Sequence, residues 1–282
     1  MTRRQDMSRQ LETLNELKSI MTAMKNLALV EMRKLTQLRA NHERVVQTIT
    51  RAAGDFLSHH PGVGHPVAEP GGPGVLILVG SERSFCGNFN ELVRDEAERF
   101  PGQPPGPSWI VVGSKLASRV EGDPRLVARL EGPNAAEEVP AVLTRSLACL
   151  QELQSRRPAA APNIWAVFHD MDQGGVRVEE ITAVRPNAAA KPEFSSPPVL
   201  PMEPRQFLVE LIELHLFALL TRVFYSSLMA ENRFRFAHME NATRRIGNKH
   251  EDMTRRLNIL RQEEVTQEIE LIVLSTLAAP SE

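Results

Sequence analysis

The chain has 282 residues, 42% of them hydrophobic, which suggests one or two domains with a modest core and a helical seam. A net charge of −2 argues against bulk nucleic-acid binding, although the first 58 residues carry ten Lys/Arg against six Asp/Glu. Cys86 and Cys149, the only cysteines, give no disulfide framework, and no apolar run approaches the roughly 18 residues that span a bilayer. The opening MTRRQDMSRQ lacks the apolar run of a signal peptide, so the expectation is a protein of the cytoplasmic side without direct membrane insertion.

From Leu14 the sequence repeats in sevens. One seam position reads Leu14, Met21, Ala28, Leu35, His42, Ile49, Phe56, and the other Leu17, Met24, Glu31, Leu38, Val45, Ala52. No Pro or Gly precedes Gly54, so a helix is predicted from near Thr2 to Leu57, roughly 85 Å long. It stops at HHPGVGHP, where Pro61, Gly62, Gly64 and Pro66 forbid continuation.

The middle alternates strand and helix patterns. Strands are predicted at 74–80, 108–113, 163–170 and 175–184, the last two joined by a DQGG turn, and helices at 88–100, 114–120 and 136–156. This order suggests a small, partly parallel sheet, with surface loops at 61–74 and 101–107. After the proline-rich run KPEFSSPPVLPMEP, a second long helix is predicted to the C-terminus. Its first turns are apolar on nearly every side, and its seam then thins to Met239, Ile246, Met253, Leu257 and Leu260. The register shifts at Val265, Ile269 and Ile272, and the helix, on the order of 110 Å, outruns its N-terminal partner. Its projecting apolar end needs another surface to cover it.

The predicted architecture is therefore α/β plus a long antiparallel coiled coil. Residues 1–58 and 204–282 pair as a rod, and a small Rossmann-like α/β domain over 59–203 is inserted between them. A rod of this kind passes on force or position more naturally than it performs chemistry.

Enzymatic motifs are missing: there is no GxxxxGK[ST], GxGxxG after a strand, HExxH, GxSxG or CxxC. His59, His60 and His65 share a glycine–proline loop without a Cys or acidic group at ligand spacing. His42 on the seam fixes register, and Met21, Met24, Met239 and Met253 fill core. Cys149, in a helical run, is expected to be buried. The segment SERSFCGNFN at 81–90 stands out because it follows a strand and opens a helix. Cys86 beside a helix N-terminus could be an activated thiol, yet no His/Asp pair accompanies it. The plainer reading is a tight turn in which small Cys86 and Gly87 allow close packing.

SERSFCGNFN resembles the S-D-R-G-L-C-G-x-F-N signature of the gamma subunit of F-type ATP synthases, matching at Ser81, Arg83, Cys86, Gly87, Phe89 and Asn90. IMTAMKNLALVEMRK is similar to that family's I-T-K-A-M-x-M-V-A-x-x-K-M-R-K at Ile20, Ala23, Met24, Ala28, Met32, Arg33 and Lys34. MENAT and NILRQEEVTQEI are similar to M-x-N-A-T and N-R-x-R-Q-A-x-I-T-x-E-I at Met239, Asn241, Ala242, Thr243, Asn258, Arg261, Gln262, Thr266, Glu268 and Ile269.

The resemblance implies a non-catalytic rotor shaft without cofactor or metal, coupling ion translocation to ATP synthesis or hydrolysis by rotation. The implied partners are the alpha and beta subunits of the catalytic ring, the epsilon subunit and the membrane ring of c subunits. Implied ring contacts are Met24, Asn258, Arg261, Gln262, Thr266, Leu271, Leu274 and Leu277. The implied location is the cytoplasmic face of the inner membrane. Departures include Glu82, Ser84 and Phe85 for Asp, Gly and Leu, Thr22 and Lys25 in the N-terminal motif, Glu263 after Arg-Gln, and Leu257-Asn258-Ile259 for Tyr-Asn-Arg. They suggest a divergent bacterial branch such as an alternate ATPase. A coiled-coil scaffold that self-associates, and a thiol enzyme built on Cys86, stand as the other readings.

Overall fold

A computed structural model of the chain describes residues 3–60, 63, 74–100, 106–155, 163–170, 174–181, 196, 197 and 199–277, without the side chains of 3 and 275–277. Both ends are helical: α1 runs Arg3–His59 and α5 runs Pro204–Leu277. α5 opens on a proline, whose missing N–H costs nothing in a first helical turn. The chain divides into two compact units, Met1–Leu27 with Phe236–Glu282, and Ala28–Arg235.

In the first unit, α1 half-buries Met7, Leu11, Leu14, Met21 and Met24, and α5 buries Met239 and Met253. Arg4 donates to Glu264 at 2.8 Å, and Lys25 Nζ lies 4.0 Å from Glu240 and 5.9 Å from the Phe236 ring centre. Lys25 thus has an acidic and an aromatic neighbour. Val265, Ile269 and Ile272 are exposed.

The second unit holds the sheet, in the order β3-β2-β1-β4-β5. Its strands are β1 (Gly74–Val79), β2 (Ser108–Val112), β3 (Leu126–Leu130), β4 (Asn163–Asp170) and β5 (Gly175–Glu180). β5 alone is antiparallel, paired to β4, and the other pairings are parallel. Side chains alternate between two apolar layers, as strand geometry requires. Val75, Ile77, Val79, Ile110, Val112 and Phe168 pack with α1, α5 and α4 (Val139–Ser155). Leu76, Leu78, Trp109, Val111 and Val167 pack with α2 (Phe89–Arg99) and the short α3 (Ser114–Ala117).

Several expectations change here. β3 was absent from the sequence reading: LVARL is a short edge strand with its exposed residues alternating, too brief to separate from a turn. The helix predicted at 136–156 opens as a 3₁₀ turn, Ala136–Glu138, before α4, and that predicted at 114–120 ends at Ala117. The second seam of α1 also shifts. Ala28, Leu35, Ile49 and Phe56 are buried as expected, but Val45 and Ala52 are exposed while Val46 and Ala53 are buried. A helix of 3.6 residues per turn drifts about 20° per heptad against a strict seven-residue repeat, enough to move the contact by one residue. Cys149 is half-buried rather than buried. The loops at 64–73 and 101–105, His65, 171–173 and the run 182–195 lie outside the described residues.

Candidate functional site: the signature loop and the exposed helix faces

The loop after β1 is built by reciprocal polar contacts. Asn90, in the first turn of α2, accepts the Ser81 N–H through Oδ1 at 2.9 Å and donates from Nδ2 to Ser81 Oγ at 2.9 Å. The Cys86 thiol donates to Ser81 Oγ at 3.2 Å. All three residues are buried. Glu82 reaches across the C-terminal ends of β2 and β3: it accepts from Ser114 Oγ at 2.6 Å, from the Ser114 N–H at 2.9 Å and from the Gly132 N–H at 2.8 Å. Burial pushes the Glu82 carboxyl up, but these bonds and nearby Lys115 outweigh it and hold it below the ordinary carboxylate range. Arg83 Nε donates to Asn134 at 2.8 Å.

Phe89 is fully buried, stacked on His169 at 4.0 Å between ring centres and edge-on to Phe234 at 5.5 Å. His169 Nε2 donates to the Phe89 carbonyl at 2.9 Å, and burial pushes its pKa down, against that bond. The ring is held neutral and donates at a fixed tautomer.

Cys86 is not an activated thiol. Burial pushes its pKa up, as does nearby Glu231, and the Ser81 hydroxyl only partly offsets this. Among the described residues no group of three or more His, Cys, Asp and Glu is arranged to hold a metal ion. Gly87 acts differently from the expectation of close packing. Nothing lies within 4 Å of where its Cβ would stand, and its φ is +62°, so glycine is needed for the left-handed backbone. Close approach belongs to Gly80 instead, where a Cβ would stand 2.2 Å from that of Leu116. Sequence reasoning missed Gly80 and Glu82 as anchors, because their partners lie more than thirty residues away in Ser114, Leu116 and Gly132.

The other candidate residues do not converge with this loop. Met24 is half-buried on α1. Asn258, Arg261, Gln262 and Thr266 are exposed on α5, with the Thr266 hydroxyl donating to the Gln262 carbonyl at 2.9 Å. Leu271 and Leu274 are 67% and 63% exposed, and the Leu277 side chain lies outside the described residues. Among the described residues, no helix is long and apolar enough to cross a membrane.

Long terminal helices, a mixed five-stranded sheet and a signature loop bonded to the segments that follow β2 and β3 make up the fold of a central-stalk type of subunit. The chain belongs to the ATP synthase family, whose model it matches over residues 3–278, and within it to the gamma subunits. It is 22% identical over 219 residues to the ATP synthase gamma chain of Geotalea uraniireducens (strain Rf4), covering 74% of this chain and 75% of that one. The fold is similar to a chain of the Euglena gracilis mitochondrial ATP synthase rotor in rotational state 1. That likeness has a TM-score of 0.61 at 12% identity and covers 93% of this chain and 98% of that one. It is also similar to a chain of the Tetrahymena thermophila mitochondrial ATP synthase central stalk and c ring. There the TM-score is 0.55 at 15% identity, with 79% of this chain and 99% of that one covered.

Proposed function

We propose that this subunit is the rotor shaft that couples ion translocation through the membrane sector to ATP synthesis or hydrolysis. The observation that carries this reading is the family match along residues 3–278. In it, residues 1–58 and 204–282 form an antiparallel coiled coil around an inserted Rossmann-like domain, 59–203. Support comes from the Arg4–Glu264 and Lys25–Glu240 pairs, in which numbering rises on one helix as it falls on the other. The paired-helix seam would supply the stiffness that torque requires.

The partners are the alpha and beta subunits of the catalytic ring, the epsilon subunit and the ring of c subunits, on the cytoplasmic face of the membrane. The solved complexes with similar chains, described as rotor, central stalk with c ring, and OSCP/F1/c-ring, support this choice. Met24, Asn258, Arg261, Gln262, Thr266, Leu271, Leu274 and Leu277 are the proposed ring contacts. The bare apolar surface of Leu271 and Leu274 favours a covered end. Exposed Arg261 and Gln262 offer hydrogen bonds that can form and break as the shaft turns.

Reconstitution with the cognate alpha and beta subunits, read by native mass spectrometry and ATPase rate, tests the reading. One copy per three alpha–beta pairs, with hydrolysis raised over the ring alone, is the expected result. A stable homodimer that ignores the ring would overturn it.

A further inference from the structure

The second seam position of α1 is apolar at Leu17, Met24, Leu38, Val45 and Ala52 but carries a carboxylate at Glu31. Ala28 and Leu35, one turn to either side of it, are buried. Glu31 Oε1 accepts the backbone N–H of Ala136 at 2.6 Å. A turn further along α1, Lys34 forms an ion pair with Glu137. Both partners belong to the 3₁₀ turn Ala136–Glu138 that precedes α4, so charged side chains of α1 grip a distant part of the chain.

That turn is itself fastened to the ends of the strands. The Gly132 N–H donates to Glu82 at 2.8 Å, Arg83 Nε donates to Asn134 Oδ1 at 2.8 Å, and the Asn134 N–H donates to Glu138 at 2.8 Å. A polar path therefore runs from the loop after β1, through the segment 132–138, to α1. The helix α5 is tied elsewhere. Arg222 donates to the Glu179 carboxylate of β5, and both side chains are largely screened from water. Arg177 of the same strand lies 3.5 Å from the other Glu179 oxygen and 3.8 Å from Asp170 at the end of β4. β5 is one edge of the sheet, and the segment that holds α1 follows β3, the other edge. All of these residues belong to the sheet-bearing unit.

Apolar contact is non-directional and opposes small rolling or sliding of a helix weakly. Charge-assisted hydrogen bonds fix direction as well as distance. A single such bond leaves a body free to pivot about it, whereas two at separate places fix an angle.

We propose that Glu31 and Arg222 are positioning residues that lock α1 and α5 to the sheet at two separate places, so that torque passes between sheet and helices without slip. This rests on the rotor reading given above.

The test uses the complete ATP synthase in inverted membrane vesicles, reading ATP hydrolysis and ATP-driven ion uptake together. In Glu31→Leu and in Arg222→Leu, assembled complexes should still hydrolyse ATP while ions taken up per ATP fall in part. In the double variant they should fall several-fold. Glu31→Gln, whose amide oxygen can still accept the Ala136 N–H, should stay close to wild type. A purely structural role would lower the amount of complex and leave uptake per ATP in the assembled fraction unchanged. That result in the double variant overturns the proposal, as does a loss in Glu31→Gln equal to that in Glu31→Leu. If the double variant does not assemble, the single ones decide: wild-type uptake per ATP in both overturns the proposal. Hydrogen exchange at the Ala136 amide of the full-length chain checks the tie itself and should be several-fold faster in Glu31→Leu. An unchanged rate there also overturns the proposal. Failure of the wild-type chain to support coupled uptake would instead overturn the rotor reading.

Discussion

Ser81 and Asn90 hold each other by two bonds of 2.9 Å, the Ser81 N–H to Asn90 Oδ1 and Asn90 Nδ2 to Ser81 Oγ, with both residues buried. The pair closes the turn between β1 and α2 and leaves neither amide atom of Asn90 without a partner. Asn90→Ala strands a buried N–H, at about 1–3 kcal/mol, besides losing two bonds of about 1 kcal/mol each. A fall of about 3–5 kcal/mol in unfolding free energy is expected by urea denaturation. A fall below about 0.5 kcal/mol would mean the turn closes without this clasp.

Phe85 has φ +68° and its side chain is 52% exposed. A left-handed backbone costs an L-residue about 1–2 kcal/mol, and little burial is lost on removing this ring. Phe85→Gly should therefore raise stability by about 1 kcal/mol, read by thermal or urea unfolding. Gly87→Ala, at φ +62°, should lower it by a similar amount although open space surrounds the site.

Gly80 and the helix glycines separate steric from conformational effects. A Cβ on Gly80 would stand 2.2 Å from Leu116 Cβ and 2.8 Å from Asn90 Oδ1, a clash no flexible side chain can relieve. Gly80→Ala should destabilise by about 3 kcal/mol or more, the upper end for overpacking. Gly54 and Gly247 lie in helix interiors with nothing within 4 Å of a Cβ. Alanine at either should add up to about 1 kcal/mol. Equal effects at Gly80 and Gly54 would refute the close approach at Gly80.

The long helices, β1, β2, β4 and the start of the signature loop were legible because each carries its pattern locally. The heptads of α1 and the proline-free run after Pro204 announce helices, and GVLILV and SWIVV announce buried strands. What was not legible depends on distant partners. Glu82 looks like a conservative acid in its motif, and only Ser114 and Gly132 reveal its role. The step from Val45 to Val46 on the seam follows from helix pitch accumulating over several turns, which a strict seven-residue count cannot register.

Acid should unfold the protein in two stages. Burial pushes the pKa of His42, His169 and His215 below their ordinary value of 6.5. The unfolded chain then takes the protons first, so stability is full above pH 6.5 and declines below it, levelling off under the folded values. Glu82 acts lower: its depressed pKa gives stability that is present above the ordinary 4.5 and lost as pH falls through the folded value. Melting temperature against pH should show both declines. His169→Gln, which keeps a donor for the Phe89 carbonyl, should flatten the upper one, and Glu82→Gln the lower. Unchanged slopes would show that these groups titrate alike in folded and unfolded chains.

Arg261 and Gln262 provide the clearest separation of contact from stability. Both are exposed on α5, so alanine at either should change unfolding free energy by less than about 0.5 kcal/mol. If they touch the catalytic ring, the same substitutions should lower the ATPase rate of the reconstituted complex while the isolated subunit melts as before. The double variant should lose more than either single one, and the loss from Arg261→Ala should shrink at high salt, as an exposed charged contact requires. A complex that turns over at the wild-type rate with both residues replaced would remove them from the contact surface. The exposed Leu271 and Leu274 would then be left to carry it.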